Sequence, residues 1–87
     1  MVGFVGSRAT GQRIMNAAAG SLKRLVLELG GKAPMVVFED ADLAAAARCA
    51  VEHSLRNTGQ VCCSIERVYV AEAIAEEFEA KVVELAA

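Results

Sequence analysis

Eighty-seven residues allow at most one small domain, and a domain of that size buries a modest share of its surface. The chain is 55% hydrophobic, but 17 residues are alanine, with no tryptophan, one tyrosine and three phenylalanines, so large core anchors are scarce. A net charge of −2 with dispersed basic residues argues against nucleic acid, no apolar run approaches a membrane span, and three cysteines, two of them adjacent, make no disulfide framework.

In chain order the pattern alternates strand and helix. Residues 2–5 are a short apolar run broken by Gly6-Ser7, a strand ending in a turn. Residues 9–19 read as a helix stopped by Gly20. Leu25, Leu27 and Leu29 alternate with Val26 and Glu28, the period of a strand, and Gly30-Gly31 ends it. Residues 34–38 supply another strand. Asp40 or Asp42 caps a helix whose apolar line is Leu43, Ala47, Val51 and Leu55. Asn57-Thr58-Gly59-Gln60 breaks that helix ahead of the cysteines. Residues 67–70 form a further strand. Ile74, Phe78, Val82 and Leu85 mark one face of a final helix, and Glu72, Glu76, Glu79 and Lys81 its solvated side. No repeat, linker or low-complexity tract interrupts this order, which predicts an α/β architecture. A strand at the first residue and a last helix without a stop signal predict that both ends are cut through structure. Met1-Val2-Gly3-Phe4-Val5-Gly6-Ser7 lacks the basic start and apolar core of a signal peptide. Free thiols fit a reducing, intracellular compartment, in the simplest case the cytoplasm; an organellar targeting peptide would be missing with the true N-terminus.

Three places carry residues suited to chemistry. Gly6-Ser7-Arg8-Ala9-Thr10-Gly11 stands between a strand and a helix, where free N–H groups and the positive helix end face an anion. It is not Gly-x-Gly-x-x-Gly, and Gln12-Arg13 replaces the Lys-Ser/Thr of a P-loop, so taken alone it reads as a turn. Glu28 is a carboxylate at a strand end, beside a glycine pair that permits tight turning. Cys62 and Cys63 admit several readings. They suit two small buried apolar side chains. With Cys49 and His53 they could be recruited to zinc, though without Cys-x-x-Cys spacing. With His53 as base, one of them could be a Cys-His nucleophile. A thiol and a carboxylate are also what two-step acyl chemistry requires, in which the thiol attacks a carbonyl carbon and the carboxylate activates the releasing water.

Glu28-Leu29-Gly30-Gly31-Lys32, followed by Gly59-Gln60-Val61-Cys62 in this order and spacing, resembles the signature segments of the NAD(P)-dependent aldehyde dehydrogenase superfamily. The resemblance covers nearly the whole chain, includes Asp40-Ala41-Asp42-Leu43, and extends to Phe4-Val5-Gly6-Ser7, similar to the family's Phe-Thr-Gly-Ser. Val5 and Arg8 stand where threonines are usual, and Ala33 where serine is. Members of the family are several times longer. The resemblance therefore implies an α/β fragment of that fold, with residues 1–29 ending the Rossmann-like NAD(P)-binding domain and residues 30–87 starting the α/β catalytic domain. It implies Cys62 as nucleophile and Glu28 as general base. Gly6, Ser7 and Gly11 would lie at the dinucleotide's pyrophosphate and nicotinamide end, and the Leu29 backbone at the carboxamide. Val61 and Cys63 would flank the nucleophile and line the aldehyde pocket. The implied cofactor is NAD or NADP, the substrate an aldehyde, the metal none, and the parent enzyme a homo-oligomer.

The implied reaction runs through a thiohemiacetal on Cys62, hydride transfer to the nicotinamide, and a thioester that Glu28 hydrolyses through water. Its oxyanion donors would be the Cys62 backbone N–H and an asparagine from an upstream segment. These 87 residues lack that asparagine, most of the cofactor domain and a downstream Glu-x-Phe-Gly-Pro segment, so alone they are expected to be inactive. Two other readings stand beside this one. The first is a non-enzymatic relic of the same fold that docks onto homologous subunits. The second is an independent small thiol enzyme or metal-binding module.

Overall fold

The computed structural model describes residues 1–87, which divide into two compact units, Met1–Gly31 and Lys32–Ala87. Each unit is built on one pair of parallel strands.

In the first unit, strand β1 (Val2–Gly6) leads into helix α1 (Arg8–Ala18), which returns the chain to strand β2 (Leu25–Leu29). Parallel strands cannot be joined by a tight turn, so the helix is the necessary crossover. The register pairs Val2 with Leu25, Phe4 with Leu27 and Gly6 with Leu29. Alternation holds in β2, where Leu25, Leu27 and Leu29 are half-buried while Val26 and Glu28 are exposed. Ser7 caps α1, its Oγ accepting from the Thr10 N–H at 3.3 Å. Gly11 is the contact point of helix on strand: a Cβ there would stand 2.9 Å from Leu29 Cδ2. The expected stop at Gly20 is not the one used. Gly20 lies inside a short 3-10 turn (Ala19–Ser21), and the left-handed residue that ends it is Leu22 at φ 50°. Ser21 Oγ donates to the Ala18 carbonyl at 2.9 Å, and the helical path ends two residues later than a stop at Gly20 would end it.

The second unit runs strand β3 (Ala33–Val37), helix α2 (Leu43–Leu55), strand β4 (Ile65–Val70) and helix α3 (Ala75–Ala86). Of the two candidate caps it is Asp42 that serves α2, its Oδ1 accepting from Ala44 and Ala45 N–H at 3.0 and 3.1 Å. Its buried stripe is Ala47 and Ala50, flanked by Leu43 and Ala46, whereas Leu55, expected on the apolar line, is 60% exposed. Small residues let α2 lie close to its neighbours. The core is Val37, Ala47, Ala50 and Phe78, with Met35, Val70, Ile74 and Val82 packed around it. Phe78 is its one large buried anchor. Ile74 precedes α3 in a 3-10 turn (Glu72–Ile74), and Leu85 is 49% exposed.

Strand β4 begins at Ile65 rather than at Arg67 because a bulge breaks its alternation. Ala33 pairs with Ile65 but Pro34 with Arg67, so Glu66 is an extra residue. Proline has no N–H to give the ladder, and a bulge is one of the few places in a sheet where it is tolerated. Lys32 reaches across to the Glu66 carboxylate, and Arg67 Nη2 donates to the Lys32 carbonyl at 2.8 Å. Both contacts are exposed and add little stability.

Val36, Phe38 and Tyr69 are exposed at 55%, 67% and 53%. Strands of parallel sheets are ordinarily covered on both faces.

Phe78→Ala is expected to cost the second unit about 3–5 kcal/mol. Val83→Ala, on the exposed side of the same helix, should stay within about 0.5 kcal/mol. Denaturant titration followed by hydrogen exchange in α3 compares the two. The bare strand face predicts that the 87-residue chain self-associates, and that Val36→Lys combined with Tyr69→Lys returns it toward monomer in sedimentation velocity.

Candidate active site

The residues singled out in the first unit gather at one end of it. Gly6 and Leu29 are the last paired residues of β1 and β2, and Val5 pairs with Glu28 one step earlier. Ser7 follows as the helix cap, and its Oγ also lies 3.1 Å from Thr10 Oγ1. The first intrahelical bond is Gly11 N–H to the Ser7 carbonyl at 3.0 Å. The amides of Arg8 and Ala9 precede it and so have no acceptor within the helix. No acidic residue stands in the first turn of α1, and Arg8 opens it. This end is therefore electropositive and suited to an anion. Glu28 is exposed at the strand end, and Leu29 turns the other way onto Gly11.

The cysteines belong to the second unit, on the connection between α2 and β4. After α2 the chain passes through a short turn (Arg56–Gly59) in which Asn57, Thr58 and Gly59 all have left-handed φ, at 51°, 56° and 76°. Such a conformation is strained for a β-branched residue. Local hydrogen bonds hold it: Asn57 Nδ2 to the Gln60 carbonyl at 3.0 Å, Gln60 N–H to the Asn57 carbonyl at 3.1 Å, and Gln60 Nε2 to Thr58 Oγ1 at 3.1 Å. A second turn follows at once. Ser64 N–H donates to the Val61 carbonyl at 2.9 Å, which puts Cys62 and Cys63 at the two central positions of that turn. Both thiols are free and exposed, so neither is a core side chain.

His53 is directed elsewhere. Its Nδ1 lies 3.0 Å from the Cys49 carbonyl and 3.6 Å from Cys49 Sγ, one turn back on α2. That arrangement gives His53 no bond to Cys62 or Cys63. No group of three or more His, Cys, Asp or Glu side chains is placed to hold one metal ion.

Sequence pattern left three contributors unseen. Thr58 reads only as part of the helix-breaking tetrapeptide, and Ser54 and Ser64 carry no signal, since a serine hydroxyl is recognisable only once its partner is known. Ser64 is 4% exposed, and its Oγ donates to the His53 carbonyl at 3.0 Å and the Ser54 carbonyl at 3.3 Å. The left-handed turn did have a cue, because asparagine and glycine two apart tolerate that conformation.

Residues 1–87 match the family model described as the aldehyde dehydrogenase family. The chain is 51% identical over 83 residues to salicylaldehyde dehydrogenase of Pseudomonas putida, covering 95% of this chain and 17% of that protein. A crystal structure of NAD-dependent aldehyde dehydrogenase from Sinorhizobium meliloti superposes with a TM-score of 0.94 at 41% identity, over 98% of this chain and 17% of that one. The structure of 3,6-anhydro-L-galactose dehydrogenase in complex with NAP gives a TM-score of 0.94 at 45% identity, over 98% and 18%. The chain thus spans 17% of the length of the P. putida relative. No helix is long and apolar enough to cross a membrane.

Gly59→Ala is expected to destabilise the cysteine connection by about 1–2 kcal/mol, the cost of placing an L side chain in the left-handed region. A Cβ at Gly59 would also meet the Ser54 carbonyl oxygen at 3.3 Å. Faster amide exchange in residues 56–64, with α3 unchanged, is the expected readout.

Proposed function

Because the chain belongs to the aldehyde dehydrogenase family, we propose that it carries the nucleophile and the general base of an enzyme oxidising an aldehyde to a carboxylic acid with NAD or NADP. The observation that carries this reading is Cys62 itself. The cysteine of Gly-Gln-x-Cys stands exposed at the centre of a hydrogen-bonded turn, in a chain that matches the family from end to end.

In this reading residues 1–29 end the NAD(P)-binding domain and residues 30–87 open the catalytic domain. The amino end of α1 fits an anionic cofactor, with two amides lacking helix partners, no carboxylate in the first turn and Ser7 exposed. Gly6, Ser7 and the Leu29 backbone would hold the dinucleotide. Gly11, buried against Leu29, serves it by seating the helix close to the strand. The bound group supplies the hydride acceptor.

Cys62, as thiolate, attacks the aldehyde carbon, and its own backbone N–H donates to the oxygen that becomes negative. Loss of hydride from that carbon leaves a thioester on Cys62. Glu28 then takes a proton from water, the hydroxide adds to the thioester carbon, and the thiolate leaves as the acid is released. Val61 and Cys63 flank the attack and contact the substrate. Homo-oligomeric assembly of the enzyme belongs to the same reading and rests on the family likeness.

The 87-residue chain alone is expected to form no NADH or NADPH from aldehydes. Exchanged for the corresponding segment of P. putida salicylaldehyde dehydrogenase, it should support turnover. In that chimera Cys62→Ser should abolish activity, because a hydroxyl is a far weaker nucleophile than a thiolate near neutral pH. Cys63→Ser should retain activity and alter aldehyde preference. Glu28→Gln should give a burst of reduced cofactor, then slow turnover, with an acyl thioester on Cys62 visible by mass spectrometry. Acyl label on Cys63, or full activity in Cys62→Ser, overturns the assignment.

A further inference from the structure

Ser54 belongs to the last turn of α2, where helix carbonyls run out of intrahelical donors. Three contacts converge on it. Its Oγ donates to the Ile65 carbonyl at 2.9 Å. Its carbonyl accepts from Ser64 Oγ at 3.3 Å, while the same hydroxyl reaches the neighbouring His53 carbonyl at 3.0 Å. Its carbonyl oxygen also lies 3.3 Å from where a Cβ on Gly59 would stand, so the chain before the cysteine turn passes directly over it. Ser64 and Ile65, on the far side of Cys62, are thus bonded to one residue, and Gly59, on the near side, packs close against it.

We propose that Ser54 and Ser64 are positioning residues for the Cys62 turn, a reciprocal pair of hydroxyls that fixes the nucleophile to the end of α2. The proposal rests on Cys62 being the nucleophile. The turn's own bond, Ser64 N–H to the Val61 carbonyl, closes only the crest and leaves its orientation to whatever holds its base. The core supplies no such hold, since Cys62 and Cys63 are exposed and the nearest buried residue is Ser64 itself. A serine only 4% exposed, with its hydroxyl shared between two helix-end carbonyls, is costly to replace by an apolar group, because both acceptors would lose their donor. Nucleophilic attack needs the sulfur within a few tenths of an ångström of its reacting geometry, so loosening this clamp should act on the rate of attack. It should leave the affinity for aldehyde nearly untouched.

The test has two arms. In the 87-residue chain, Ser64→Ala and Ser54→Ala are compared with the parent by amide exchange. The expected result is at least tenfold faster exchange across residues 60–65, unchanged protection in α3, and recovery in Ser64→Thr, which keeps the hydroxyl. In the P. putida chimera, Ser64→Ala is expected to lower kcat at least tenfold with KM for aldehyde within about twofold, and Ser64→Thr to restore most of it. Unchanged exchange in residues 60–65 overturns the proposal, as does exchange that rises equally in α3, since the serines would then be ordinary core. A loosened loop with kcat intact overturns it too. Failure of the nucleophile assignment is distinguishable, because it would appear as activity surviving Cys62→Ala while the exchange result stood.

Discussion

Parallel strand pairing is the constraint from which the rest of the molecule follows. Each unit holds a single pair, β1 with β2 and β3 with β4, and neither pair can be closed by a short hairpin. A helix must therefore carry the chain back, and each helix has one loop entering it and one leaving it. The first unit uses the entering loop, where β1 hands over to α1 through Gly6 and Ser7 at the carboxyl end of the strand. Ligands of open parallel sheets commonly lie at that end. The second unit uses the leaving loop, and the cysteine turn comes just before the amino end of β4. One motif thus offers an electropositive helix start in one unit and an exposed thiol turn in the other.

The alanine content explains how the second unit packs. Ala47 and Ala50 keep α2 slender, and Phe78 supplies the bulk that they do not. Hydrophobic content without large buried side chains leaves apolar groups at the surface, as Val36, Phe38 and Leu55 illustrate. Such a surface is what strands of a parallel sheet present before a second layer covers them.

The architecture was legible because its signals are local. The Leu25-Leu27-Leu29 alternation, Asp42 at the head of an alanine run and the glycine pair at residues 30–31 each specify an element without reference to the rest. The misses share a cause, which is that the deciding partner was distant in sequence or lacked a signature. Gly20 has the composition of a stop, but Ser21 bonding back to Ala18 moved the end to Leu22. Leu55 falls on the helical period, yet the α2 stripe is centred on Ala47 and Ala50. For the candidate site, Cys62 and Glu28 stand out only as motif residues of the family likeness. The left-handed run at residues 57–59 had only the Asn57 and Gly59 cue, and the serines beneath the turn had none, since hydroxyl-to-carbonyl bonds across ten or eleven residues leave no trace in composition.

The bulge opposite Pro34 has a consequence for how this stretch can vary. Ile65 is half-buried, Glu66 and Arg67 are both exposed, and the strand resumes its alternation with Val68 lining the groove beside Phe78. The extra residue acts as a phase shift between the cysteine turn and the core. Removing one residue there would swap the two faces of β4, turning Tyr69 inward and Val70 outward, unless the ladder closed up at the same time. The length of the connection between the cysteine turn and β4 is therefore tied to which face of the strand meets the core.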